Sequence, residues 1–490
     1  MCSFFGIKSE NKEYLSTVLE QEDAVFEFMK HRGPDLHNII QTDNGFILGG
    51  FVLAINDSVA QPVSKDGDYL LWNGEIYNCP KEYTSDTKYL LDLFTSGNAL
   101  ERMYERTEDN DGCVSPLLDG EYAIAYIKDN LVHLITDDFY TKPLCYTITE
   151  DTLVFSSYES AIKKINPNFI VKHALPNTHY IFDTEKYELI SQNEIYEWDF
   201  EPRYNTFERW DKAYKNSILK RVATDKKIFL PLSSGYDSGG ICCELIHHNI
   251  PCTIFSYRGL EDADIMEKRA EVISNQENMK YYIIHPEINF EENFKDFYSK
   301  VENHIAYHHS GRTEMGTPYL DIYHAHSCFA HFLICKVAKQ QGHDICLSGH
   351  GSDEIYSDYY SPNTRNASTL KGDYRNVRSR WPNFDMGYGR NILGMFDRAA
   401  GSCGVETRYP YLDRNAVQNF LWLSDELKNS SYKQCLNQLM RKRDFPLDEV
   451  NLKVPLRIFE GDKHNVSYKG AVAAFYIQNN IKRPSYIKWL

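Results

Sequence analysis

Lys226-Lys227-Ile228-Phe229-Leu230-Pro231-Leu232-Ser233-Ser234-Gly235-Tyr236-Asp237-Ser238-Gly239-Gly240-Ile241 decides the architecture of the second half of this chain. An apolar run, Ile228 to Leu232, enters a loop of small residues and leaves as a helical pattern. The loop therefore lies at the carboxyl end of a strand and the N-terminus of a helix, where backbone N–H groups and the helix dipole favour phosphate. No lysine occupies it, so it is not the Gly-Lys-Ser/Thr phosphate loop. Working outward, Cys252 to Tyr257 reads as a strand, Asp264 to Gln276 as a helix and Tyr281 to Ile284 as another strand. That is the βαβ rhythm of a parallel sheet covered on both faces. Asp344 to Ser348 is a further short buried strand, running into Gly349-His350-Gly351-Ser352-Asp353-Glu354. Two strands that end in loops with one aspartate each, Asp237 and Asp353, can converge on Mg²⁺, which prefers carboxylate, phosphate and water oxygens.

The first half has a different rhythm. Residues 43–180 alternate short apolar runs with turns, such as Gly120 to Ile127 and Leu131 to Ile135 around Lys128-Asp129-Asn130, which is antiparallel hairpin chemistry. Cys2 stands second in the chain. Removal of Met1 would give one residue both a thiol and an α-amine with an ordinary pKa near ~8, a nucleophile with its own base. Tyr69-Leu70-Leu71-Trp72 leads into Asn73-Gly74, which is expected at the end of a strand. A side-chain amide beside a backbone N–H can hold the oxyanion formed when a thiolate attacks an amide. On its own, Asn-Gly would read as a hairpin turn; Cys2 and His31-Arg32-Gly33-Pro34-Asp35 turn the reading toward catalysis.

Together these residues resemble the glutaminase domain of class II glutamine amidotransferases, specifically that of the glutamine-hydrolysing asparagine synthetase family. The resemblance implies an N-terminal nucleophile αββα sandwich over residues 1–200. It also implies that Cys2 attacks the side-chain amide of glutamine, Asn73 and Gly74 form the oxyanion hole, and Glu75 and Asp86 grip the substrate. Val52, in Gly50-Phe51-Val52-Leu53, stands where that family has an arginine on the glutamine α-carboxylate. Losing such a partner weakens binding by roughly 1.5–3 kcal/mol.

The second half resembles the same family. Ser233 to Ser238 is similar to the loop Ser-Gly-Gly-x-Asp-Ser of enzymes that split ATP between its α and β phosphates, with Ser234 in place of a glycine. Gly349 to Glu354 and Gly404-Val405-Glu406-Thr407-Arg408-Tyr409-Pro410-Tyr411-Leu412-Asp413 match two further motifs in order. What this implies is a doubly wound pyrophosphatase domain over residues 206–490 that attaches AMP to a carboxylate, with ammonia arriving through an internal tunnel. Leu232, Ser233, Gly235, Ser238, Ser348 and Gly349 would surround ATP, Phe255 to Tyr257 would flank adenine, Asp237 and Asp353 would hold Mg²⁺, and Lys453 would stabilise the departing pyrophosphate. Aspartate-amidating members carry a glutamate where His350 stands here, and a Ser-Thr-Pro segment with an arginine near His326 and Cys328-Phe329-Ala330. Asparagine formation is the expected reaction. The alternatives are amidation of another carboxylate (on a sugar, nucleotide or peptide), an intramolecular amide-forming ligase, against which Cys2, Asn73, Gly74 and Asp86 speak, and a non-catalytic relative, against which intact Asp237, Asp353 and Lys453 argue while Val52 and Ser234 argue a little for it.

Composition agrees with a soluble enzyme of two or three domains. The chain has 490 residues, 42 % hydrophobic and 25 % charged, with a net charge of −16, which argues against nucleic acid as a partner. No apolar stretch approaches the ~18–20 residues that span a bilayer, and no charged-then-apolar leader opens the chain, so a cytoplasmic protein working on small molecules, compatible with a homodimer, is expected. Twelve cysteines lack metal-type spacing and read as reduced thiols. His304, His308, His309, His324, His326 and His331, joined by His350, are irregularly spaced and read as surface or substrate-lining residues rather than metal ligands.

Overall fold

The computed structural model describes the chain except residues 1, 57, 107, 109–113, 258–260, 285–288, 308–317, 358–373, 375–386, 448–467, 480 and 482–490. Lys453, His308 and His309 therefore lie outside the described residues. Two compact units follow one another, Met1–Trp198 and Asp199–Leu490.

The first unit stacks two antiparallel six-stranded sheets. One places Ser3–Ser9 between Thr152–Ser156 and Phe46–Val52; the other places Gly120–Lys128 between Leu131–Thr136 and Asp68–Ile76. The period-2 alternation of a strand builds the layers. Phe4 joins Leu48, Leu71 and Phe155 in the core containing residues of both sheets, whereas Phe5 and Ile7 pack with Val18 and Ile162 from helices Lys12–Glu20 and Glu159–Ile165. On the second sheet Leu71 points to the shared core, and its neighbours Leu70 and Trp72 meet Leu90 and Phe94 of helix Asp86–Thr95. The result is the expected αββα sandwich. The hairpin at Asp129-Asn130 forms as read, with Asp129 in the left-handed region at φ 52°. Asn73-Gly74 differs from its reading: the strand does not end there but continues to Ile76, paired with the strand Gly120–Lys128.

The second unit is built on a parallel sheet in the order Met279–Ile284, Cys252–Tyr257, Ile228–Pro231, Ile345–Leu347, Glu406–Arg408. From Ile228–Pro231 the chain steps outward twice, then returns to the other side of that same strand. This reversal opens a crevice beyond the carboxyl ends of Ile228–Pro231 and Ile345–Leu347, the usual ligand position in such sheets. Helix His326–Gln340 packs its apolar residues with Phe229, Phe255 and Cys346 in one apolar core of this unit.

Candidate active sites

In the first unit the strand Ser3–Ser9 delivers Cys2 to Asn73. The Cys2 N–H donates to Asn73 Oδ1 at 2.9 Å, and Arg32 Nε donates to the Cys2 carbonyl at 2.8 Å. The acceptor role fixes which end of the Asn73 amide is oxygen. Its Nδ2 is then a buried donor with no hydrogen-bond partner among the described residues. A buried unpaired N–H costs about 1–3 kcal/mol, so a native fold that keeps one has a reason.

The backbone N–H of Gly74 faces the same way as that of Trp72, two residues earlier. Trp72 N–H donates away from the sheet to Gln61 Oε1 at 2.7 Å. Tyr122, opposite Gly74, gives its own N–H and carbonyl to Asp137 on its far side. By that alternation the Gly74 N–H faces away from Tyr122, on the side where Trp72 meets Gln61. Gly74's φ of +149° and a virtual Cβ only 1.9 Å from the Glu121 carbonyl exclude any larger residue.

Around this pair, Glu75 is buried and accepts from Asn56 Nδ2, Asp86 opens helix Asp86–Thr95 behind the Ser85 cap, and Trp72 Nε1 donates to Thr87 Oγ1 at 3.1 Å. Gly33 lies directly on the backbone of Phe51 and Val52, which lets Asp35 N–H reach the Val52 carbonyl at 3.0 Å. Val52 itself is buried and apolar; the arginine that this stretch does supply, Arg32, is spent on the Cys2 carbonyl.

In the second unit, Ser233 to Gly235 form the turn between strand Ile228–Pro231 and helix Tyr236–His247. Ser233 N–H donates to Ser238 Oγ at 3.0 Å, the two hydroxyls lie 2.9 Å apart, and Gly235 N–H donates to Ser233 Oγ at 3.2 Å. Ser234 keeps a negative φ, so the glycine it replaces is not needed for backbone reasons. Its N–H and hydroxyl both donate to Glu261 Oε2 at 2.6 Å. Beneath the loop sits Arg269, fully buried, holding the carbonyls of Ser233 and Gly235, the latter at 3.0 Å. Burial depresses this guanidinium to about 10.

The two motif loops meet. A virtual Cβ on Gly349 would lie 3.0 Å from Asp237 Cβ. Asp237 and Asp353 share one cation, Lys433, whose Nζ contacts Asp237 Oδ1 and lies 2.6 Å from Asp353 Oδ1. Burial alone would lower the lysine, but the charges of Asp237 and Asp353 outweigh it and hold Lys433 well above its ordinary value. Lys433 is 1 % exposed, while the carboxylates keep 29 % and 16 % of their surface. Partly exposed carboxylates close enough to share one ammonium form a hard-oxygen donor set that fits Mg²⁺. Tyr432 adds a hydroxyl 3.3 Å from Asp353 Oδ1. Tyr411, from the third motif, donates to the Asp237 carbonyl at 2.6 Å; the rest of that motif is scaffold, with Arg408 on Glu406 at 2.7 Å and Asp413 held near 2, against the pull of its burial, by Lys220 and Arg221.

Phe255 and Tyr257 are buried in the apolar core that helix His326–Gln340 joins, with Phe255 stacked on Tyr282 at 5.4 Å. Ser256, on the opposite face, hydrogen-bonds the Leu232 carbonyl at 2.8 Å, and Leu232 N–H donates to Phe255 O at 2.8 Å. Sequence reasoning missed Lys433 and Arg269, neither of which belongs to a quoted motif. His350 hydrogen-bonds Ser348 Oγ through Nδ1 at 2.6 Å and lies on the ring of Phe396, centroids 3.9 Å apart.

Residues 1–193 match the glutamine amidotransferase domain family, and residues 209–383 match the asparagine synthase family. The chain belongs to the glutamine-hydrolysing asparagine synthetase family. Among its relatives, a putative asparagine synthetase of Methanocaldococcus jannaschii is 25 % identical, the match covering 93 % of this chain and 87 % of that one. The asparagine synthetase of Pongo abelii is 23 % identical over 83 % of this chain and 76 % of its own. Among solved structures, the glutamine phosphoribosylpyrophosphate amidotransferase of B. subtilis, complexed with ADP and GMP, is similar at 15 % identity and a TM-score of 0.29, over 47 % of this chain and 60 % of that chain. The fold rests on the strand orders above, not on that likeness. Glutamine-dependent amide synthesis is the activity of the family this chain belongs to. No helix among the described residues is long and apolar enough to cross a membrane.

Proposed function

We propose that the chain converts aspartate to asparagine in two half-reactions. In the first, Cys2, freed of Met1, attacks the glutamine side-chain carbonyl with its own α-amine as base. The oxyanion is received by Asn73 Nδ2 and Gly74 N–H; ammonia leaves and water hydrolyses the thioester. The observation that carries this reading is the buried Asn73 Nδ2 without a partner, beside a Cys2 N–H tied to the other end of the same amide. Glu75 and Asp86 orient the glutamine, and Val52 leaves its α-carboxylate without the arginine clamp of other members.

In the second half-reaction the acceptor carboxylate attacks the α phosphate of ATP, pyrophosphate leaves, and ammonia displaces AMP. Ser233, Gly235, Ser238 and Gly349 line the phosphates, the backbone near Leu232 and Ser348 borders the nucleoside, and Asp237 with Asp353 would hold Mg²⁺, which when bound neutralises phosphate charge. Lys433 keeps the two carboxylates together before nucleotide arrives. Lys453 stabilises the departing pyrophosphate.

A second reading is favoured by one observation: His350 packs on Phe396 where aspartate-amidating members have a glutamate. Replacing that carboxylate by an imidazole removes the partner for an acceptor ammonium and suits a carboxylate without one. Pyrophosphate release across a panel of carboxylates, with glutamine or ammonium as nitrogen source, separates the readings. Aspartate turnover supports the first; turnover only with amine-free acids supports the second; no pyrophosphate with any acid overturns both. Cys2→Ala is expected to abolish glutamine-driven synthesis and leave ammonium-driven synthesis intact. Glutamine-driven turnover in that variant would remove the thiol from the mechanism.

A further inference from the structure

Behind the nucleotide crevice, His331 and Cys335 stand one turn apart on helix His326–Gln340 and face Cys346 in the middle of strand Ile345–Leu347. All three are buried, at 4 %, 0 % and 0 % exposure. One donor atom from each lies within 4.8 Å of the other two, and Cys335 Sγ is 3.6 Å from His331 Nε2. Cys335 and Cys346 belong to the apolar core cluster of this unit.

We propose that these three side chains bind a single thiophilic divalent ion of the Zn²⁺ class. Three arguments converge on it. The first is size: Zn–S near ~2.3 Å and Zn–N near ~2.0–2.1 Å in a tetrahedral shell put sulfur and nitrogen about 3.5 Å apart, and the structure has them 3.6 Å apart. A second is charge. Binding exchanges two thiol protons for one M²⁺, with both protons released to solvent, so two thiolates, a neutral imidazole and the ion sum to zero. That is the ionised state an apolar interior tolerates at least cost. The third is selectivity, since two sulfurs and an imidazole suit Zn²⁺ and reject Mg²⁺. This site is thereby distinct from the carboxylate pair Asp237 and Asp353.

The position gives the ion something to hold. Cys346 lies two residues before Ser348, and the His331 ring is 6.4 Å from that of His350, with Phe396 touching both. A bound ion ties the helix to the root of the loop that carries His350. The spacing His-x3-Cys-x10-Cys is not a familiar metal motif, which is why the sequence alone reads these residues as separate.

The test uses the full-length chain, loaded with Zn²⁺ or Co²⁺ and freed of loose metal by gel filtration. About one equivalent of Zn²⁺ per chain is expected, and Co²⁺ should show a thiolate-to-metal absorption band in the near ultraviolet. Cys335→Ser and Cys346→Ser should each weaken retention at least about tenfold, while Asp353→Asn should leave it unchanged. Should the serine variants fail to fold, the Co²⁺ spectrum of the unaltered protein decides. Absence of a thiolate band, a content below about 0.1 equivalent, or equal retention in folded serine variants overturns the site. None of these readouts involves glutamine, ATP or an acceptor, so the outcome is independent of the proposed reaction.

Discussion

Asn73 works through both ends of one amide: its oxygen takes the Cys2 N–H and its nitrogen is held in readiness. Asn73→Asp keeps the acceptor and replaces the waiting donor with a negative charge. Losing one oxyanion donor costs about 10²–10³ in rate, so glutamine-driven synthesis should fall at least that far while ammonium-driven synthesis stays level. Steady-state assays with the two nitrogen sources check it; equal losses in both would point to misfolding instead.

Other buried groups in the same unit set its response to acid. His133 and His179 are hydrogen-bonded at 2.9 Å, and burial lowers them to about 4 and about 3. Both are neutral in the native state but take up protons near pH 6.5 once unfolded, so stability is lost as pH falls below 6.5 toward those native values. Asp137 opposes them: burial raises it to about 6, so the native state gains a proton as pH falls through that value, and stability is gained there. Two histidines against one aspartate leave a net loss of about 2–3 kcal/mol between pH 7 and pH 5. Denaturant titrations at the two pH values measure it. A His133→Gln variant should lose only about a quarter as much of its stability on the same acidification, and an undiminished loss would exclude the pair as its source.

At the level of elements, the turn from strand Ile228–Pro231 into helix Tyr236–His247 is shaped from below. Arg269 grips the carbonyls of Ser233 and Gly235, and its guanidinium lies 2.7 Å from where a Cβ on Gly239 would sit. Gly239→Ala must push that side chain away. A loss of about 1–3 kcal/mol in stability is expected, together with a raised KM for ATP, since the displaced arginine frees the loop; an unchanged KM would show that the loop holds its shape unaided.

Much of this element was legible. An apolar run into small residues and then a 3.6-residue period describes a strand, a turn and a helix without further help. What could not be read is which face of a doubly covered strand meets a ligand. Phe255 and Tyr257 share a face by period, but only the packing of helix His326–Gln340 shows that this face is the core. Arg269 and Lys433 were illegible for another reason. They act 34 and 196 residues from their partners, and an isolated cation in a helical stretch looks like any solvated one.

Across the whole molecule, the chemistry divides between a unit that liberates nitrogen and one that activates an acid. A lesion in either should leave the other's partial reaction running. Lys433→Met removes the cation between Asp237 and Asp353 and is expected to depress pyrophosphate formation by at least about tenfold with either nitrogen source, while glutamine hydrolysis by the first unit proceeds. The same change leaves two carboxylates unbalanced, so Mn²⁺ should bind the nucleotide-free protein more tightly, which electron paramagnetic resonance can read. Weaker Mn²⁺ binding in a folded variant would mean that the lysine organises the carboxylates without competing for their charge.

Because that ammonium is part of the polypeptide, the pairing of Asp237 with Asp353 does not depend on dissolved magnesium. Dialysis into magnesium-free buffer should therefore leave the two carboxylates poised, and activity should return as fast as magnesium and nucleotide can diffuse in, with no lag for refolding.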